Sequence, residues 1–179
     1  MFASTSSSAP EFAANSEVAV SATFNGEYYQ IDGAINQPKP IQKPYPPLWV
    51  CGGGEKVTLK LLAKYGDYGN WDVDLDGFIN KSNILKEHCE KEGRDFNSIG
   101  KTLHTDVVIA KNDKELKKLS TKVAEQRKID IDKLLERPLV GTVHQVNDML
   151  RQFEEAGCEY LIAYISDIVW GDTLELLKN

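Results

Sequence analysis

From residue 47 onward, short apolar runs alternate with longer stretches in which apolar residues recur every three or four positions. "PLWVC" (47–51) reads as a buried strand, and "EKVTLKLLAKY" (55–65) as a helix that buries Thr58, Leu61, Leu62 and Tyr65 on one face. "GNWDVD" (69–74) is a short second strand, and the helix after it, "GFINKSNILKEHCEKEG", carries Phe78, Ser82, Leu85 and Cys89 in one stripe. "TLHTDVVIA" (102–110) is the third strand. The next helix opens with Asn112 as N-cap and Glu115 three residues on, and should bury Leu116, Leu119 and Val123. After Pro138 and Gly141, Thr142 and Gln145 have capping-box spacing ahead of Val146, Met149, Leu150 and Phe153, and Gly157 closes that helix. "EYLIAYIS" (159–166) is the fourth strand, followed by a short terminal helix. Four strand–helix units in succession predict a parallel α/β sheet.

The residues before position 47 follow another pattern. In "ATFNGEYYQI", Asn25-Gly26 separates two short runs rich in aromatic and β-branched residues, which predicts a β-hairpin with a type I′ turn. Five of the seven prolines crowd into "PKPIQKPYPP" (38–47), where missing N–H groups rule out a central strand and leave a stiff extended connector. The division expected is a disordered leader or expression scar over 1–22, a hairpin over 23–36, a Pro-rich connector over 37–47 and strand–helix units over 48–179.

Composition narrows the class of partner. With 41% apolar and 27% charged residues, the 179-residue chain has the make-up of one ordinary globular domain. A net charge of -6 and a pI near 5.1 argue against nucleic acid or an anionic membrane surface, both of which call for a basic face. No apolar run approaches the roughly 20 residues that span a bilayer, and the Ser/Ala-rich N-terminus has neither the basic nor the continuous apolar region of a secretory signal. Cys51, Cys89 and Cys158 are odd in number, widely spaced and outside any CxxC pattern, so free thiols in a reducing cytoplasm are expected.

One segment stands out chemically. In "WVCGGGEK" (49–56), Gly52, Gly53 and Gly54 follow an apolar strand and precede a helix. Two readings are open: a tight turn that needs positive φ, or a cradle in which backbone N–H groups and the helix dipole hold an anion that glycine lets come close. Lys56 is either an added positive charge there or a solvated helix residue.

Three segments carry a family likeness. "NGEYYQIDGAINQPKPIQKPYPPLWVCGGGEKVTLKLLAKYGDYGNW", then "KSNILKEHCEKEGRDFNSI", then "LVGTVHQVNDMLRQFEEAGCEYLIAYI" resemble, in that order, the C-terminal half of the luciferase-like monooxygenase family, and within it the deazaflavin-dependent branch. The resemblance implies a TIM-type (β/α)8 barrel of which this chain holds strands five to eight, since a whole barrel takes about 250 residues. It implies a flavin-type cofactor, FMN or the F420-type deazaflavin coenzyme, whose phosphate-bearing tail meets the residues matching Gly52, Gly53 and Gly54. Asn70, in "YGDYGNW", matches the family's Tyr-Ala-Asp-x-x-Asn pattern. Its amide is expected either to hydrogen-bond the cofactor or its covering loop, or to support a turn. Gly69 departs from that pattern, which carries a bulkier residue there, so the wall beside the cofactor ring is expected to differ. In the family the first strands supply much of the pocket under the ring, so a catalytic residue cannot be named from this chain.

The remaining polar residues have structural readings. His88 and Cys89 are neighbours and do not share the i, i+4 face of a helical metal site, which puts Cys89 in the core and His88 on the helix surface. Arg94 and Asp95 shape the turn that follows. His104 and Asp106 alternate onto one strand face as a formal acid/base pair, but toward the start of their strand, where a barrel carries stability and not chemistry. His144 falls in a solvated first turn, and Ser166 and Asp167 end the last strand. No metal site is expected. Two functional readings follow: a truncated or split flavin- or deazaflavin-dependent oxidoreductase that keeps the phosphate-end site, or a non-catalytic half-barrel for assembly. Because half a barrel leaves open strand edges, a homo-oligomer or a complementary half-barrel chain is the expected partner.

Overall fold

A computed structural model describes residues 21–35 and 37–178. The leader expected over 1–22 lies, except for its last two residues, outside the described residues. The chain runs β1 (Ala22–Asn25), β2 (Gln30–Ala34), β3 (Trp49–Cys51), α1 (Thr58–Tyr65), β4 (Tyr68–Trp71), α2 (Leu75–Glu92), β5 (Gly100–Ala110), α3 (Asp113–Arg127), α4 (Ile131–Leu135), β6 (Leu139–Thr142), α5 (Val143–Glu155), β7 (Tyr160–Tyr164) and α6 (Thr173–Leu177). A single 3-10 turn, Phe96–Ser98, leads into β5.

β1 and β2 form the expected antiparallel hairpin, but the turn differs. Asn25 pairs with Gln30, so residues 26–29 form a four-residue loop, closed by the Gly26 N–H to the Tyr29 carbonyl at 2.9 Å. Gly26 has no positive φ of the kind a type I′ turn requires. Its lack of a side chain instead makes room for Phe24, whose ring would lie 2.5 Å from a Cβ there.

The parallel sheet is built around β5. Gly100–Leu103 pairs with β4 on one side, Thr102–Asp106 pairs with β7 on the other, and Val107–Ala110 extends beyond both to pair with β6. β3 pairs only with β4, so among the described residues β3 and β7 each keep one free edge. The four expected strands are present, with β4 starting one residue early, and β6 is an addition. "LVGT" is short, follows Pro138 and contains Gly141, so it does not announce a strand; it becomes one because β5 outlasts its other neighbours.

Alternation along β5 sorts the helices into two layers. Leu103, Val107 and Ile109 share a core with Leu59 and Leu62 of α1, Phe78 and Leu85 of α2, and Val146 and Phe153 of α5. The even-numbered residues face the other way: Val108 packs against Val123 and Ala124 of α3 and Leu134 of α4. α3 and α4 therefore cover only the far end of that second face. Nearer the start of β5 it is open, and Trp49, Tyr160, Ile162 and Tyr164 are 40–56% exposed on it. Tyr68 pairs with Gly100 and Tyr160 with Thr102, so their backbones are separated by two strand spacings, about 9.6 Å, and by two residues along the strands, yet their ring centroids meet at 5.7 Å, and Trp49 stacks on Tyr68 at 4.5 Å. Their convergence marks the open face as the concave one.

Thr173 closes the sheet where β7 ends. Its buried hydroxyl accepts the Ile109 N–H at 3.0 Å and faces the Ile109 carbonyl at 3.4 Å, taking the place of a neighbouring strand. Thr173→Val keeps the shape and orphans that buried N–H, so urea denaturation should show a loss of about 1–3 kcal/mol; an unchanged midpoint would mean that water reaches the site.

Candidate functional site

The glycine turn joins β3 to α1 at the carboxyl end of the sheet. Gly52 has φ +104°, a backbone conformation that side chains resist, and its N–H donates to the Asn70 carbonyl at 3.2 Å, continuing the β3–β4 ladder for one residue. Gly53 and Gly54 have ordinary φ values and meet different neighbours. A Cβ on Gly53 would lie 2.7 Å from the Lys81 side chain, and one on Gly54 would lie 2.8 Å from the Thr58 hydroxyl. The helix starts later than the sequence pattern placed it: 55–57 is a turn, and Val57 caps α1 without a side-chain hydrogen bond. The N–H groups of Gly53, Gly54, Glu55 and Lys56 therefore have no protein acceptor among the described residues, and all four positions are exposed.

α2 holds this turn from the side. The Lys81 ammonium donates to the Gly53 carbonyl at 2.8 Å, His88 Nε2 lies 2.8 Å from the Glu55 carbonyl, and the Asn80 amide is 3.4 Å from the Glu55 carboxylate. Sequence reasoning missed Lys81 and His88. The available signal was their spacing of seven, which places both on one face of α2, combined with the expectation that α2 lies beside α1. His88 is thus a half-buried prop of the turn and not the surface residue expected, whereas Cys89, 1% exposed, is in the core as expected. Lys56 is exposed on the turn, and Lys81 is the ammonium that reaches the glycines.

Asn70 supports the same turn from β4. Besides its carbonyl bond to Gly52, its amide sits 3.0 Å from the Thr102 hydroxyl and 3.9 Å from Cys51 Sγ. The single Thr102 proton also has the Gly69 carbonyl at 2.9 Å. If it goes to that buried carbonyl, Thr102 is left to accept from the Asn70 NH₂, and the Asn70 oxygen turns toward Cys51. Gly69 does not wall the open face, contrary to the sequence expectation. It faces α1, where a Cβ would come within 2.5 Å of Leu62 Cδ2, so close helix–sheet packing is what requires glycine.

The other candidates separate. Asp106 is 7% exposed and ion-paired to Arg127 and, at 3.7 Å, to Arg137, which also binds Asp72 just after β4. It pins α3 and the entry to β6 onto the sheet, past the middle of β5 and not near its start as expected. His104 instead rests against the Tyr164 ring at 4.8 Å, so the two do not form an acid/base pair. Arg94 and Asp95 bind Ser98 and the Asn97 N–H around the 3-10 turn. His144 is exposed beside Asp148 at 3.3 Å. Asp167 is fully buried and accepts from the N–H groups of Trp170, Gly171 and Thr173, which folds the loop into α6. Burial pushes the Cys89 and Cys158 thiols above their ordinary range.

A groove of about 270 Å³ between α3 and α6, lined by residues including Leu119, Lys122 and Trp170, shares no residue with the glycine turn. Among the described residues no group of three His, Cys, Asp or Glu side chains is placed to hold a metal, and no helix is long and apolar enough to cross a membrane.

Comparison with known proteins fits this architecture. The family model described as luciferase-like monooxygenase matches residues 15–133. No curated protein sequence matches the chain. Among solved structures, the coenzyme F420-dependent tetrahydromethanopterin reductase from Methanopyrus kandleri aligns with a TM-score of 0.68 at 14% identity, over 92% of this chain and 58% of its own. An F420-dependent secondary alcohol dehydrogenase in complex with an F420-acetone adduct aligns at 0.64 and 19% identity, over 82% and 50%. A long-chain alkane monooxygenase aligns at 0.64 and 14% identity, over 88% and 45%. At these identities the likeness is one of fold, and the chain spans about half the length of the solved relatives it matches.

Proposed function

The chain belongs to the luciferase-like monooxygenase family, and from that premise we propose that it is the half of a flavin- or F420-dependent oxidoreductase that holds the phosphate-bearing end of the cofactor. The observation that carries this reading is the set of N–H groups from Gly53 to Lys56 that no atom of the described residues accepts, exposed at the carboxyl end of β3 and next to the first turn of α1, whose cap uses no side chain. Backbone donors in that position favour an anion. Gly53 and Gly54 let it approach the backbone, and Lys81 supplies a cation tethered 2.8 Å from the Gly53 carbonyl. Asn70 and His88 orient the turn and need not touch the ligand.

The cofactor, FMN or an F420-type deazaflavin, would supply the redox chemistry. The residues of this chain bind and orient it. Solved structures of the same fold include F420-dependent enzymes and one described with a modified FMN, which is why both cofactors belong in the test. In this reading residues 23–179 form one half-barrel domain, and the pocket under the ring is completed by other strands.

Isothermal titration with FMN and with an F420-type deazaflavin should give saturable binding of at least one, at one site per chain. Lys81→Ala should weaken that binding about tenfold, the scale of one charge-assisted contact. No heat of binding for either cofactor, with the chain folded by circular dichroism, would remove the reading.

A further inference from the structure

The groove between α3 and α6 has a chemistry that the glycine turn does not use. Ile109 and Ala110, the last residues of β5, give it an apolar lining together with Leu119 of α3, Leu176 of α6 and Trp170. That lining is held in place from both sides. The Thr173 hydroxyl accepts the Ile109 N–H at 3.0 Å, the fully buried Asp167 accepts from the N–H groups of Trp170, Gly171 and Thr173, and Leu119 and Trp170 pack on the core of Val108, Val123 and Leu134. The rim is charged. Glu115, Lys118, Leu119 and Lys122 recur at three- and four-residue spacing on one face of α3. The Glu115 carboxylate accepts the Lys111 N–H at 3.3 Å, and Asp172 is paired with the Lys111 ammonium at 3.0 Å, whereas Lys118 and Lys122 have no carboxylate partner among the described residues. The Lys122 ammonium rests instead over the Trp170 ring, 3.5 Å from its centroid. That contact keeps the cation at the groove and leaves its N–H donors without an oxygen acceptor among the described residues.

We propose that this groove binds a small molecule with an apolar body and a single carboxylate, the body on the lining of Leu119, Leu176 and Trp170 and the carboxylate between Lys118 and Lys122. Charge selects the head group. In a chain of net -6, two ammoniums without carboxylate partners beside an apolar lining favour one anionic group, while Glu115 on the same helix face opposes a second. The lining selects the body. A sugar phosphate or a nucleotide would lay hydrated groups on Ile109, Leu119 and Leu176 without acceptors or donors to meet them. Size agrees, since about 270 Å³ lies just under the range of about 300–1,000 Å³ usual for small-molecule pockets and suits a medium-chain or monocyclic acid. The groove shares no residue with the glycine turn, so the inference does not rest on the cofactor reading.

Octanoate should bind the unmodified chain saturably by isothermal titration and shift the Trp170 indole N–H resonance, which is identified by its loss in Trp170→Phe. Octanol, the same chain without the charge, should bind about tenfold more weakly, the scale of one charge-assisted contact. Lys122→Met keeps the apolar stem and removes the ammonium, so it should weaken octanoate about tenfold and leave octanol unchanged. Lys114→Met, on α3 but outside the groove, should change neither. Should Lys122→Met fail to fold, the comparison of octanoate with octanol on the unmodified chain decides the matter. No octanoate binding, octanol binding as tightly as octanoate, a shift confined to Trp49 or Trp71, or equal effects of Lys122→Met and Lys114→Met would each overturn the proposal.

Discussion

Asp106→Ala is expected to lower the unfolding free energy by about 3 kcal/mol. The carboxylate is 7% exposed and is the shared partner of Arg127, at the end of α3, and Arg137, at the entry to β6. Removing one member of a buried pair costs about 3–5 kcal/mol, because the charges left behind lose their compensation. Both arginines are about one-third exposed and regain some hydration, which places the value at the lower end. The loss should begin where Asp106 acts. Val108, Val123, Ala124 and Leu134 form the small core that attaches α3 and α4 to the sheet, and their amides should exchange faster than those of the main core around Leu103 and Phe78. Chemical denaturation with hydrogen exchange checks both points; a uniform loss across both cores would show that α3 and α4 are not a separate unit.

Gly53→Val is expected to abolish cofactor binding while leaving the fold intact. Its φ is ordinary, so a side chain adds no backbone strain there. The new atoms would enter the space of the Lys81 ammonium, which is the far end of a flexible side chain and can move away. Branched carbons would then cover the N–H groups of the turn and displace the Lys81 ammonium from it. Gly52→Ala should do the opposite. At φ +104° it costs about 1–3 kcal/mol of stability, with less direct effect on ligand approach. Parallel titration and thermal melts of the two variants separate them, and a Gly53→Val chain that binds as the unmodified chain does would place the ligand elsewhere.

The sequence carried most of the helical layer. All four residues of the stripe expected in α2, Phe78, Ser82, Leu85 and Cys89, are buried, and both arms of the Thr142–Gln145 capping box form at the start of α5. α1 was harder. Its apolar residues span an arc wider than one buried face, with Lys60 and Lys64 opposite, so spacing picked Thr58, Leu61, Leu62 and Tyr65 where packing buries Leu59, Leu62 and Ala63. β6 and the true hairpin turn were hidden for a related reason, since each depends on a partner strand's length or on a neighbouring ring and not on its own residues.

At the site, the three glycines announced themselves as a run, although only Gly52 uses the backbone freedom that glycine has. Lys81 and His88 did not, because nothing in a lone lysine or histidine on a helix says which loop it will touch. Their role appears only once α2 is laid beside the β3–α1 turn. The side on which α3 packs was equally silent. Alternation along β5 gives two faces, and which helix takes which face follows from β5 running past its neighbours to expose Val108.

The central claim is that the exposed N–H groups from Gly53 to Lys56, with Lys81, recognise a phosphate. Comparing FMN with riboflavin, which carries the same ring without the phosphate, by isothermal titration against the unmodified chain tests it most directly. The account predicts saturable FMN binding and riboflavin binding weaker by about tenfold or more, the scale of charge-assisted contacts to a phosphate; equal affinity for the two, or no binding of FMN or of an F420-type deazaflavin, would contradict it.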